Sequence, residues 1–304
     1  MPNQYTIIFM PAGRSIRIFL ATGEVTGIRH AELVNWTGQA IVCPRTRLDE
    51  LERWHEEVSR PGVYLLVGAE GLSDREVYIG EGEIALTRIR QHIGTKEFWQ
   101  EVVIFTSKDE NLTKAHVKYL EHRLIQKAKE VGRYKLVNGN QPAETALPRA
   151  DRAAMEEFLE NIEVLLGALG HRVFVPLVAA AAGPSAKDRF KFSIKGTEAL
   201  GAPVDEGFII FRNSTGLRRS NESMGIGNVA LKRELVAAKK IAEEGELIRF
   251  QEDVLFGTPS QAGSIVSGIA CNGRVAWKRL RDGRSLNDID SEESGDTGDR
   301  IQRS

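Results

Sequence analysis

The sequence predicts an α+β protein of about two domains. Three observations carry this. Short apolar runs bounded by Gly and Pro, such as GVYLLV at 62–67 and GFIIF at 207–211, have the length and composition of strands. Amphipathic stretches at 113–131 and 151–169 repeat their apolar residues with helical spacing. The chain has 304 residues, which is long for one domain.

The elements follow in order. Residues 15–45 read as short strands, with Ile16, Ile18 and Leu20 alternating and Thr22-Gly23-Glu24 as a turn. Thr46-Arg47-Leu48-Asp49 has the form of a capping box, followed at helical spacing by Leu51, Trp54 and Val58. Residues 1–60 are therefore expected to be a β-rich N-terminal piece with one helix, and Pro61-Gly62 breaks the chain after it. Strand 62–67, a loop at 68–75 and a second strand at 76–79 predict an antiparallel hairpin that ends in Gly80-Glu81-Gly82. Leu86, Ile89 and Ile93 give 83–93 helical spacing, and 102–106 is a third strand. Val117, Leu120, Leu124, Ala128 and Val131 line a helix that Gly132 stops.

Asn138-Gly139-Asn140-Gln141-Pro142 is a turn, and Asp151 is expected to cap the helix that carries Met155, Phe158, Leu159, Ile162, Leu165, Leu166 and Leu169. Linker composition at 179–187 separates this body from a second domain, with 176–189 as the linker and 190–281 as the domain. That domain opens on strands FKFSI and GFIIF, holds a helix over 229–244, and closes with a helix and an Asn272-Gly273 hairpin turn. The polar tail, 282–304, is expected to be disordered.

The net charge is −1, but the tail alone carries seven acidic residues against three Arg. The surplus of positive charge lies in 205–281, with twelve basic residues against nine acidic. This balance permits a nucleic-acid partner without requiring one. Cys43 and Cys271 form no CxxC, which leaves no zinc ribbon or redox pair to read. The N-terminus is a poor signal peptide, and no apolar run reaches the ~20 residues that span a bilayer. A cytoplasmic protein with no membrane partner is expected.

Chemistry concentrates near the predicted hairpin. Each strand places a tyrosine beside a glycine, Gly62-Val63-Tyr64 and Tyr78-Ile79-Gly80. Arg88 and His92, four residues apart, share a helix face and could both reach one anion. Glu121 sits on an otherwise apolar helical stripe, where burial of a carboxylate calls for a cation such as Arg88 or a divalent metal. Glu81 and Lys118 are read as facing solvent. Each feature also has a plain structural explanation: core aromatics, solvated helix charges and turn-forming asparagines.

Taken in order, GVY, YIG, an arginine, a histidine, a helical glutamate and a following asparagine resemble the GIY-YIG nuclease family over 61–142, within an expected module at 61–175. The resemblance implies a small three-stranded antiparallel sheet flanked by helices, and metal-dependent endonuclease activity, expected on DNA, with one Mg²⁺ or Mn²⁺ ion. It implies Tyr64 as general base, Tyr78 orienting water or phosphate, Arg88 neutralising phosphate charge, His92 contacting phosphate, and Glu121 as the sole carboxylate ligand. Asn138, or Asn140 close to it, matches the family asparagine. Residues 190–280 resemble a domain of unknown function that follows such modules, through TPSQA, NGRVAW and GFIIFRNSTGLRR. Arg218, Arg219, Lys278 and Arg279 are candidate nucleic-acid contacts there, because Arg and Lys make most phosphate contacts. The alternatives are a catalytically silent nucleic-acid-binding module and a regulatory protein that acts through protein interactions.

Overall fold

The computed structural model describes residues 13–69, 75–139, 142–176 and 189–292. The chain divides into two units, Met1–Val175 and Pro176–Ser304. The expected linker lies largely outside the described residues.

The first unit begins with β1 (Ile16–Leu20), β2 (Arg29–Leu33) and β3 (Gly38–Pro44). A 3₁₀ segment, Arg45–Trp54, runs into the short α1 (His55–Val58). Then come β4 (Gly62–Gly68), β5 (Glu76–Gly82), α2 (Ala85–His92), β6 (Trp99–Ser107), α3 (Lys114–Val131), β7 (Lys135–Leu136) and α4 (Arg149–Ala168). The strands form one seven-stranded sheet in the order β1-β2-β3-β6-β4-β5-β7. Only the β5–β7 pair is parallel.

The N-terminal strands are therefore not a separate piece, and the sheet is larger than the three strands expected. β3 pairs with β6 from Gly38↔Ser107 to Pro44↔Glu101, joining β1 and β2 to the β6-β4-β5 trio. Both faces of the sheet are covered, which is why β4 is buried along its whole length. On one face, Val63, Leu65, Val77 and Ile79 pack with Val117, Leu120 and Leu124 of α3 and Phe158, Ile162 and Leu166 of α4. On the other, Tyr64, Leu66 and Ile104 pack with Leu48, Leu51, Leu86 and Ile89.

Local signals end the helices. Thr113 caps α3 through a capping box with His116, and Gly132 closes it at φ 62°. Thr46 does not cap its segment: Pro44 holds the N-cap position and no side-chain cap bond forms. Pro148, not Asp151, precedes α4, and Asp151 lies in its first turn.

The second unit contains β8 (Phe190–Ile194), β9 (Thr197–Val204), β10 (Gly207–Ile210), β11 (Thr215–Leu217), α5 (Ile226–Ala237), β12 (Ile241–Glu244), β13 (Leu247–Phe250), β14 (Val254–Phe256), α6 (Pro259–Ser267), α7 (Gly273–Ala276) and β15 (Lys278–Arg279). A five-stranded sheet, β14-β10-β9-β8-β15, accompanies a three-stranded one, β11-β13-β12. The helix expected over 229–244 stops at Ala237. Lys239 turns the chain at φ 60°, and Ile241 leaves to pair with Phe250. Asn272-Gly273 starts α7 instead of a hairpin. Part of the tail expected to be disordered is structured: residues 286–292 are helical, Ser285 is buried, and Leu286 and Ile289 pack on the core of this unit. Among the described residues no helix is long and apolar enough to cross a membrane.

Candidate active site

The chemistry gathers where β5 ends. Across the β4–β5 ladder Tyr64 lies opposite Gly80, and Val63 opposite Glu81. Because side chains alternate along a strand, Tyr64 and Tyr78 face α2, whereas Glu81 faces α3. Gly80 and Gly82 bracket Glu81, and each yields its side-chain space to a neighbour. A Cβ on Gly80 would stand 2.5 Å from the Tyr64 hydroxyl, and one on Gly82 would stand 3.2 Å from Cβ of Arg88.

On the α2 side, the Tyr64 hydroxyl lies 2.9 Å from Nε2 of His92. The Tyr78 ring stands edge-on to His92 with centroids 4.9 Å apart, and Lys96 Nζ sits 4.3 Å over the Tyr78 ring. Tyr64 has no exposed surface, His92 is buried and Tyr78 is half-buried. Burial, then the positive charges of Lys96 and Arg88, lower His92 to about 4, so its imidazole is neutral at pH 7. Burial also holds both phenols above the ordinary tyrosine range. For Tyr64 the next cause is Tyr78, with Glu121 and Glu81 adding to the rise and Arg88 opposing it. For Tyr78 the next cause is Glu121.

On the α3 side, Lys114 Nζ pairs with Oε2 of Glu81 at 2.7 Å. Glu121 is raised to about 7 by burial and then by Glu81, against the pull of Lys114, Arg88 and Lys118. No hydrogen bond or ion pair to Glu121 is formed among the described residues. A half-buried carboxylate without its own hydrogen-bonded counter-ion fits a cation-holding role. Among the described residues no cluster of three or more His, Cys, Asp or Glu could hold a metal.

Arg88 is exposed on α2 and donates to Gln91 Oε1 at 2.6 Å. His92, one turn further along the same face, is buried, so of the pair only Arg88 is open to an anion from solvent. Asn138 is structural in its bonding: Oδ1 accepts from the Ile79 backbone N–H at 3.0 Å, and Nδ2 donates to the Ile79 carbonyl at 2.7 Å. It thus behaves as an added rung on β5 beside Tyr78. Asn140 lies outside the described residues. Glu81, read from sequence as facing solvent, is largely covered and ion-paired. The signal available for it was its place between the two glycines.

The four basic candidates of the second unit do not form one cluster. Arg218 follows β11 and pairs with Glu243 at 2.9 Å, and Arg219 is exposed beside it. Lys278 and Arg279 lie on β15 at the edge of the other sheet, where Arg279 is bound to Asp282 at 2.5 Å. Trp277 is fully buried and donates to the Pro259 carbonyl at 3.0 Å. Ser260 Oγ accepts from the Gly273 N–H at 3.1 Å. The TPSQA and NGRVAW stretches therefore tie α6 to α7.

Residues 190–290 match the family model of a domain of unknown function (DUF4357). That match covers a third of the chain and extends into the tail, in keeping with the ordered residues there. No curated protein and no solved structure matches the chain.

Proposed function

We propose that the first unit is a divalent-cation-dependent endonuclease of GIY-YIG type, cleaving phosphodiester bonds in nucleic acid, with DNA the expected substrate. What supports this reading is the geometry at the glycine-bracketed end of β5: the Tyr64 hydroxyl 2.9 Å from His92, Tyr78 edge-on to the same imidazole, and Arg88 closely packed over Gly82. Phosphodiester hydrolysis needs positive charge on the phosphate, an acceptor for the proton of water, and stabilisation of the leaving oxygen.

Arg88 supplies an exposed guanidinium suited to two phosphate oxygens. Neutral His92, with its proton on Nδ1, accepts from the Tyr64 hydroxyl through Nε2. For Tyr64 to act as base its hydroxyl, which has no exposed surface, must be uncovered when substrate binds; its proton then passes to the imidazole as the phenol oxygen takes one from water. Burial and the nearby carboxylates oppose a free phenolate, so the two transfers must be concerted. Tyr78, half-exposed against His92, orients water or phosphate. Glu121 would hold a Mg²⁺ or Mn²⁺ ion, which when bound supplies positive charge to the developing oxyanion.

The test is nicking of supercoiled plasmid with Mg²⁺ or Mn²⁺. Arg88→Ala and Glu121→Ala should each cut the rate about 100-fold or more, the scale of losing one electrostatic stabiliser. Undiminished cleavage in both variants would reject the site. One observation favours a second reading, a non-catalytic nucleic-acid-binding module: Tyr64 is completely buried, with its hydroxyl engaged by His92. Salt-sensitive binding without cleavage under either ion would establish that reading instead.

A further inference from the structure

Lys96 has no part in the scheme above, yet the chain holds it against the same site. Its ammonium lies 4.3 Å over the half-exposed Tyr78 ring, and its charge reaches His92. Among the described residues no carboxylate pairs with it. A cation over a partly wetted ring is held only weakly, so its three N–H donors stay open to an anion. The backbone of the same residue is fixed at both ends. Its N–H donates to the His92 carbonyl at 2.9 Å, and its own carbonyl accepts from Nη1 of Arg45 at 2.9 Å. Arg45, directly after β3, also donates to the carbonyls of Ile93, Glu97 and Trp99, and its guanidinium lies 4.7 Å over the fully buried Trp99 ring. One side chain thus binds four carbonyls between the end of α2 and the start of β6, the stretch that carries Lys96. Satisfying those carbonyls accounts for Arg45 alone. It does not account for an unpaired ammonium set beside Tyr78 and His92.

Resting on the reading that a nucleic-acid phosphate enters this site, we propose that Lys96 is a second phosphate contact beside Arg88 and that Arg45 is the residue that positions it. Arg88 comes from the exposed side of α2, and Lys96 from the loop that follows that helix. On binding, the ammonium leaves the ring face and donates to a phosphate oxygen, a role its flexible stem suits. Tyr78 is uncovered by the same movement and can meet water or phosphate. The movement breaks no ion pair, so substrate faces no competing carboxylate at Lys96. Arg45 touches no substrate. It holds the Lys96 backbone against the end of α2, so that side-chain rotation alone lets the ammonium change partners. No covalent bond forms or breaks in this step.

The experiment measures binding of the full chain to a fluorescein-labelled DNA duplex by anisotropy, in EDTA, over a series of KCl concentrations. It compares wild type, Arg88→Ala, Lys96→Met, Lys96→Arg, Arg45→Lys and the double variant Lys96→Met with Arg45→Lys, with folding checked by circular dichroism. Plasmid nicking with Mg²⁺, run in parallel, tests the nuclease reading by itself. Lys96→Met should make the slope of log affinity against log salt shallower by about 1, the share of one phosphate contact, and Lys96→Arg should retain the wild-type slope. Arg45→Lys keeps the charge over Trp99 but loses the fork of donors, so its own charge cannot explain a change. It should weaken binding about threefold or more in the wild-type background and add nothing in the Lys96→Met background, as residues that act through one contact do not add. If Arg88→Ala lowers the slope and Lys96→Met leaves it unchanged, the inference is overturned and the reading stands. If Arg45→Lys weakens binding equally in both backgrounds, or in neither, its positioning role is overturned. If wild type neither nicks plasmid nor binds the duplex with a salt-dependent affinity, the reading fails and takes the inference with it.

Discussion

At Gly80 the backbone leaves no room for a side chain. A Cβ would stand 2.5 Å from both Cζ and the hydroxyl of Tyr64. Gly80→Ala should therefore push the phenol away from His92, costing about 1–3 kcal/mol as an overpacked core does. Urea denaturation would measure the loss, and a variant as stable as wild type would show that the ring has space to retreat. His92 permits a pH prediction. Its folded value is near 4 against an ordinary 6.5, so the unfolded chain binds this proton first. The stability linked to neutral His92 is complete above pH 6.5 and is lost as pH falls towards 4. Gln can still accept from Tyr64 but does not titrate. The wild-type urea midpoint should therefore fall more steeply than that of His92→Gln between pH 6.5 and 4. Parallel curves would place the titration elsewhere.

At the scale of elements, what could be read from sequence was what neighbouring residues decide. The β4–β5 hairpin announced itself through its apolar run and glycines, and α3 through Thr113, its apolar stripe and Gly132. The joining of β3 to β6 could not be read, because a buried strand reveals that it is covered without naming its partner. Gln39 pairs with Thr106, which is 67 residues away. Glu81 was misread for the same reason: its partner, Lys114, lies 33 residues on. The stretch AAKKIAEE has the composition of a helix, yet burial of Ile241 against the sheet drew it into a strand. Asn272-Gly273 has hairpin chemistry, but Gly273 is required for another reason. A Cβ there would lie 2.0 Å from the Pro259 carbonyl oxygen, so α6 and α7 meet only over glycine. Gly273→Ala should separate them and break the Ser260 and Trp277 bonds. The expected loss is at least about 2 kcal/mol, read by denaturation and by a red shift of Trp fluorescence. A variant with wild-type stability would show that the α6–α7 contact is dispensable.

At the scale of the whole molecule, each unit encloses its own core. Two apolar layers flank the sheet of the first unit, one holding Leu120 and Ile162 and the other Leu51 and Ile104. Phe208, Phe250, Ile265 and Trp277 fill the second unit, which draws in Leu286 and Ile289 from the acidic end of the chain. A core that closes within its own segment has what it needs to unfold as its own cooperative step. Urea unfolding of the full chain is thus expected to resolve into two transitions. Leu120 and Ile265 have no exposed surface, so truncating either to Ala should cost about 2–5 kcal/mol. Leu120→Ala should lower one midpoint and leave the other in place, and Ile265→Ala should do the reverse. Hydrogen exchange on 114–131 and 259–267 would assign each transition to its unit. A single transition that either substitution moves in full would mean that the two cores unfold as one, and the second unit would then contribute to the stability of the β5 site.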